Sequence, residues 1–348
     1  MIVHDLGKLR RSLGRWLARA RGTRVEIAVF TMHDLRGHPE GPLVALRDHP
    51  GEPCLVDALL RDCRWYGASG LSFALDGAHP YVRTLIELDQ GICTTYEGSY
   101  LEAYWNVWRP ANQAEYLRLG SADCHHLLLR TPAIHAILPW AEAAYAAYME
   151  RKGWLERPDY RALVEDGCPP ARSCGPKPTW FGQARFGNLV AVDQSIRSTG
   201  FREVDVRSTH HSDTPIVCTC LLRDGEVRFL IADGQHRAAS LAASGHHAAS
   251  VLIQPPRPRG PSWVARHEAR EWPLVRLGIF SERDAVAVFD RVFDGTPPQA
   301  VRRPDQVPRP ARAAPTAKAQ GHGQPVGAAP EADHALDSTC VAADVVPS

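Results

Sequence analysis

Val227-Arg228-Phe229-Leu230-Ile231-Ala232-Asp233-Gly234-Gln235-His236-Arg237, followed by Ala238-Ala239-Ser240-Leu241-Ala242-Ala243-Ser244, runs from an apolar segment through a glycine into small residues. The segment Val227 to Ala232 predicts a strand, Gly234 a turn, and Ala238 to Ser244 a helix. A helix amino end leaves its first N–H groups unpaired and carries partial positive charge, so the junction suits an anion. Gly234 lets the backbone come close. Arg237 adds a planar fork of donors, and His236 a donor whose charge changes near neutral pH. Asp233 repels a phosphate unless a metal or a hydroxyl stands between them. Its open roles are Mg²⁺ ligand, general base and helix N-cap. The same five residues also read as a capping Asp, a turn Gly and solvated polar side chains.

Leu189, Val192 and Ile196 form one stripe of a helix expected over Leu189 to Thr199 and stopped by Gly200. Arg202 to Val206 alternates like a strand. Pro215 to Leu222 predicts another, joined to the Val227 strand by a hairpin at Asp224-Gly225. Gly245 ends the helix after the motif, and Ala249 to Ile253 returns as a strand.

This order of helix, strand, hairpin, glycine turn, helix and strand resembles the ParB/sulfiredoxin superfamily over roughly Asn188 to Ile253. Sulfiredoxins carry Gly-Cys-His-Arg where this chain has Gly234-Gln235-His236-Arg237, and Gln235 in place of the nucleophilic Cys disfavours sulfinic acid reduction. ParB proteins carry Gly-Glu-Arg-Arg there and bind CTP, but this chain shows neither their Glu-Asn-x-x-Arg motif nor a following helix-turn-helix. ADP-dependent serine kinases carry Asp-Gly-His-x-Arg, similar to Asp233-Gly234-Gln235-His236-Arg237 with the His one position displaced. The resemblance implies nucleotide phosphate binding by Gly234, His236 and Arg237.

Gly175-Pro176-Lys177-Pro178-Thr179-Trp180-Phe181-Gly182 and Arg185-Phe186-Gly187-Asn188 read as an ordered loop whose aromatics pack inward. Lys177 and Arg185 are then cations placed to close over phosphates, with Trp180 or Phe181 stacking on a base. The plainer reading is a connection that plugs the core.

The chain has 348 residues, 44% hydrophobic, with 40 basic and 39 acidic side chains. Near neutrality argues against a global nucleic-acid footprint, although it leaves room for a local patch. No apolar run is long enough for a membrane helix and no signal core follows Met1, so a cytoplasmic protein is expected. Nine cysteines lack paired Cys-x-x-Cys spacing, and Cys124-His125-His126 is a weak metal motif. His210-His211 and His246-His247 read as exposed. Cys218 and Cys220 are expected on opposite faces of a strand.

Three divisions are expected: a helix-rich α/β N-terminal region over 1–165, a ParB/sulfiredoxin-like nucleotide-binding domain with a C-terminal helix over 166–294, and a disordered Pro/Ala-rich tail over 295–348. The fold class is α/β (α+β), with a small mixed sheet. In the first region Leu6 to Leu17 forms a basic amphipathic stripe, Val25 to Phe30 and Leu71 to Leu75 read as strands, and His79 to Leu88 and Pro139 to Lys152 as helices. Tyr96 to Tyr100 leads into Leu101 to Pro110, an aromatic-dense stretch that is either a packed core helix or a recognition surface, with Glu97, Glu102 and Arg109 able to face a substrate. Trp272 to Phe293 adds helix, with Ser281 as N-cap.

The expected function is a Mg²⁺-dependent phosphotransferase or NTPase that uses ATP or CTP and acts on an unidentified acceptor. Gly234, Gln235, His236, Arg237, Lys177 and Arg185 form its nucleotide set, Asp233 and His236 its catalytic pair, and Asp233 its metal ligand. The alternative is a nucleotide-gated switch that binds DNA or a protein partner without fast turnover. A scaffold that has lost nucleotide binding stands third.

Overall fold

A computed structural model describes residues 32–66, 70–120, 124–131, 133, 137–141, 173–202, 215–253 and 261–301. One seven-stranded mixed sheet organises them, in the order β1-β2-β6-β4-β5-β3, with β7 also paired to β4. Its strands are β1 (His33–Asp34), β2 (Cys54–Leu59), β3 (Cys63–Trp65), β4 (Ile216–Arg223), β5 (Glu226–Asp233), β6 (Ala248–Ile253) and β7 (Trp263–Ala265). The helices that concern the site are α1 (Gly41–Asp48), α2 (Pro80–Asp89), α3 (Tyr100–Val107), α4 (Gln113–Tyr116), α5 (His126–Arg130), α6 (Thr179–Thr199), α7 (Gln235–Ala243), α8 (Pro273–Arg276) and α9 (Glu282–Phe293). The α+β class is therefore as the sequence predicts.

The expected boundary between 165 and 166 does not separate two cores. β2 pairs antiparallel with β6, and β3 pairs parallel with β5, so residues from both sides share one sheet. Only three residues long, β3 cannot form a stable sheet alone and needs the longer β5 beside it.

Alternation along β4 and β5 sorts their side chains into two apolar layers. Cys218, Cys220, Phe229 and Ile231 enter one layer with Trp65, Tyr81, Tyr104, Leu189 and Leu241; Leu221 and Leu230 enter the other with Trp140, Trp272 and Phe289. Cys218 and Cys220 therefore share a face, which corrects the expectation of opposite faces: residues two apart on a strand point the same way. The hairpin at Asp224-Gly225 forms as predicted, with φ of 51° and 81°, because a tight turn that follows sheet twist needs left-handed backbone at both positions.

Leu71 to Leu75 is not a strand; Ser72 makes one isolated bridge to Arg64. The segment read as a loop up to Asn188 is helix from Thr179 onward. Gly182 does not break α6, because it is a contact point: a Cβ there would lie 2.1 Å from the Tyr96 ring. Nor does order stop at 295. Val301 is fully buried in a short 3₁₀ turn, and Arg118 Nη1 donates to the carbonyls of Thr296 and Pro297 at 2.8 and 3.0 Å. Leu6 to Leu17, Val25 to Phe30, Pro139 to Lys152 beyond 141, Arg202 to Val206 beyond 202, Cys168, His210-His211 and the tail beyond 301 lie outside the described residues.

The aromatic helix α3 is core. Tyr100, Leu101, Ala103, Tyr104 and Trp105 are buried, and Ser99 caps it by accepting from the Glu102 N–H at 3.3 Å. Glu102 accepts from the Gly98 N–H at 2.7 Å and Glu97 from Gln183 at 2.6 Å, so both carboxylates serve local structure. At the carboxyl end of α3, Gly175 donates its N–H to Trp108 O at 2.7 Å, and a Cβ on it would lie 1.7 Å from Trp105 O. No rotamer relieves a clash with a helix carbonyl. Gly175→Ala is expected to cost about 3 kcal/mol, at the upper end of overpacking, read from the denaturant midpoint. A cost below about 0.5 kcal/mol would show that this contact does not form.

Candidate functional site

β5 ends at Asp233, and Gly234 turns the chain with φ +83° into α7. The motif itself forms the first turn, so the helix starts at Gln235 and not at Ala238 as the small residues suggest. Its internal bonding opens with the Ala238 N–H to Gly234 O at 2.9 Å, and among the described residues no side chain caps it. That corrects one reading of Asp233: the exposed carboxylate accepts from the Gly234 N–H at 2.8 Å through Oδ1 and is not the N-cap. Gly234 is also held by packing. A Cβ there would sit 3.0 Å from both Ile216 Cα and Arg237 Nη2, so its close approach is to β4.

The three residues after it face different neighbours. Gln235 Oε1 accepts from Trp65 Nε1 at 2.6 Å, the His236 ring lies 4.8 Å from that of Tyr81, and Arg237 Nη2 donates to Pro215 O at 3.2 Å. All three are half-buried. Lys177 Nζ and Arg185 Cζ converge on the Phe181 ring, 5.3 and 5.4 Å from its centre, and Phe181 lies 6.0 Å from Trp105. Their cation–π contacts brace the start of α6.

Trp65, His79 and Tyr81 complete the site, and the motif alone did not point to them. Trp65 closes β3 beside Ile231 of β5, which places the carboxyl ends of this parallel pair together. His79 is the N-cap of α2, its Nδ1 accepting from the Tyr81 N–H at 3.3 Å, with Pro80 at the first helical position. The His-Pro pair was a legible helix start. What the sequence does not carry is its neighbour: Tyr81 on the first turn of α2 meets His236 on the first turn of α7, so two helix amino ends lie side by side.

Between them His79 is fully buried among Trp65, Phe73 and Tyr81, with ring centroids at 4.8, 4.1 and 5.7 Å. Burial, with a smaller contribution from His236, lowers its pKa to about 3. The ring is therefore neutral at physiological pH. Since Nδ1 accepts, the proton is on Nε2, a buried donor with no hydrogen-bond partner among the described residues. Such a group is costly, and its orphaned donor sits where the two helix ends meet.

α7 is tied from behind. Ser240, buried, donates to Asp193 Oδ1 of α6 at 2.6 Å, and Asp193 Oδ2 pairs with Arg197 at 2.7 Å. A cavity of about 610 Å³ opens elsewhere, lined by Trp108, Arg109, Glu115, Arg118 and Arg291 among others; none of residues 233–237 lines it. Arg109 lines this cavity and donates to Asn106 Oδ1 at 2.9 Å.

Comparison with protein-family models, curated proteins and solved structures finds no match for this chain. Among the described residues no helix is long and apolar enough to cross a membrane.

Proposed function

We propose that the amino end of α7 binds the phosphates of a nucleotide, ATP or CTP with Mg²⁺, as the ParB/sulfiredoxin-like reading implies. One observation carries this: two helix amino ends, those of α2 and α7, meet at the carboxyl ends of the parallel strands β3 and β5. Parallel helix dipoles placed end beside end repel, and an anion at their positive ends relieves both. α2 is largely satisfied, by the His79 cap and by Pro80, which has no N–H. Among the described residues no side chain caps α7, and its amino end is the one this reading gives to a phosphate.

In this reading His236 and the backbone of Gln235 to Arg237 hold the phosphates. Arg237 adds its guanidinium, whose Nη2 also donates to Pro215 O. Asp233 is exposed, and with Oδ1 on the Gly234 N–H its other oxygen is placed to ligate Mg²⁺ or to take a proton from an acceptor hydroxyl. The activity that follows is phosphoryl transfer or nucleotide hydrolysis, with electrostatics and positioning as its main resources.

The test is a thermal-shift screen with ATP, ADP, CTP and GTP, each with and without Mg²⁺. A nucleotide at about 100 times its Kd stabilises by about 2.7 kcal/mol, a rise of about 4–5 °C for a unit of about 300 residues. His236→Ala is expected to abolish the shift while melting near the wild type without ligand. Asp233→Asn is expected to keep the shift and lose its Mg²⁺ dependence. No shift with any nucleotide at millimolar concentration would remove the proposal.

A further inference from the structure

The far edge of the sheet holds a cluster that the α7 site does not use. His33 lies on β1, His49 is the C-cap of α1, and Glu52 follows in the turn that enters β2. His33 Nε2 contacts Glu52 Oε2, and the two imidazoles stack with centroids 3.7 Å apart at 22°. One ligand-capable atom from each residue lies within 4.8 Å of the others.

The backbone fixes this arrangement. The His33 N–H donates to Pro53 O at 2.9 Å, the His49 N–H to Ala45 O at 3.2 Å, and the Glu52 N–H to His49 O at 3.1 Å. Three short tethers therefore deliver two imidazoles and a carboxylate to one point. Imidazole nitrogens and a carboxylate oxygen gathered at one point are the donor set that a divalent transition-metal ion takes.

We propose that His33, His49 and Glu52 bind a divalent transition-metal ion of the zinc type, with water in the remaining position. Two nitrogens and one oxygen suit Zn²⁺ or Co²⁺ over Mg²⁺ or Ca²⁺, which take all-oxygen sets. Bonds of about 2.0–2.2 Å in a tetrahedron place ligand atoms about 3.3 Å apart. The three ligand atoms already lie within 4.8 Å of one another, and Glu52 is exposed. The bound ion staples β1, two residues long, to the end of α1 and the start of β2.

The experiment is titration of the full chain with Co²⁺, followed by visible absorption, and equilibrium dialysis with Zn²⁺. The expected result is a d–d band that saturates at one equivalent per chain, is displaced by Zn²⁺ and is unaffected by excess Mg²⁺. His33→Gln/His49→Gln should lose the band and one equivalent of Zn²⁺. Glu52→Gln, an exposed change that leaves the metal-free melting temperature in place, should weaken binding more than about tenfold, since even outer-shell losses cost 10–100-fold. Zn²⁺ should raise the melting temperature of the wild type and not of the double variant. Unchanged stoichiometry and affinity in these variants would assign the metal to other residues among the chain's 16 histidines and 9 cysteines and overturn the proposal. Absence of any band would do the same.

Discussion

Trp65→Ala is expected to lower the unfolding free energy by about 3–5 kcal/mol, the range for deleting a large aromatic from a packed core. Trp65 is fully buried and packs on His79, Tyr81 and Tyr104 at centroid distances of 4.8, 5.3 and 6.0 Å. It is also the link between the aromatic layer and the motif, through Nε1–H to Gln235 Oε1 at 2.6 Å. The substitution therefore removes packing and leaves Gln235 without its donor. Trp65→Phe separates the two effects: it keeps most of the apolar contact and loses the hydrogen bond, at about 1–2 kcal/mol. Urea unfolding of the three proteins measures both steps. A loss below 1 kcal/mol for the Ala variant would mean that the layer is not assembled around this ring.

His79 should give the protein a steep acid limb. Its pKa is lowered to about 3 in the folded chain, chiefly by burial, against 6.5 for the unperturbed group. Between these values the unfolded chain binds a proton that the folded chain refuses, so stability falls as pH falls. One such proton costs up to roughly 1.4 kcal/mol per pH unit. Above pH 6.5 neither state holds the proton and the contribution is flat. Denaturant unfolding between pH 7 and pH 4 should show that slope in the wild type. His79→Gln, which cannot take up a proton, should show a shallower one by about one proton. Equal slopes in the two proteins would locate the acid sensitivity in other groups and would mean that the His79 ring can reach water.

Local order was legible where one segment decides its own structure. Asp224-Gly225 named the hairpin, the apolar run Val227 to Ala232 named β5, and Ser281 named the start of α9, where it accepts from the Asp284 N–H at 3.1 Å. Glycine misled at Gly182, since the same residue marks a break in one context and a close helix contact in another. Pairing across long separations was not legible. Nothing in Cys63-Arg64-Trp65 announces that it lies beside Phe229-Leu230-Ile231, because three residues are too few to single out one neighbour. The same limit applied to the site. Its motif was visible, but Trp65, His79 and Tyr81 reach it only through that pairing. The metal cluster was hidden for a related reason: its ligands come from a strand, a helix end and a turn, without the tight spacing that marks a zinc motif in sequence.

The seating of β2 against β6 and of β3 against β5 also shapes how the chain is made. Residue 54 finds its partner at 253, and residue 65 at 231. A ribosome that has released the first 200 residues holds β2 and β3 with unfilled edges and an aromatic layer lacking its cover. Contacts this distant make closure slow, and the waiting edges are open to pairing with other chains. Nascent protein should therefore need shelter until the last third emerges, and fragments that end before residue 216 should collect in aggregates instead of folding by themselves.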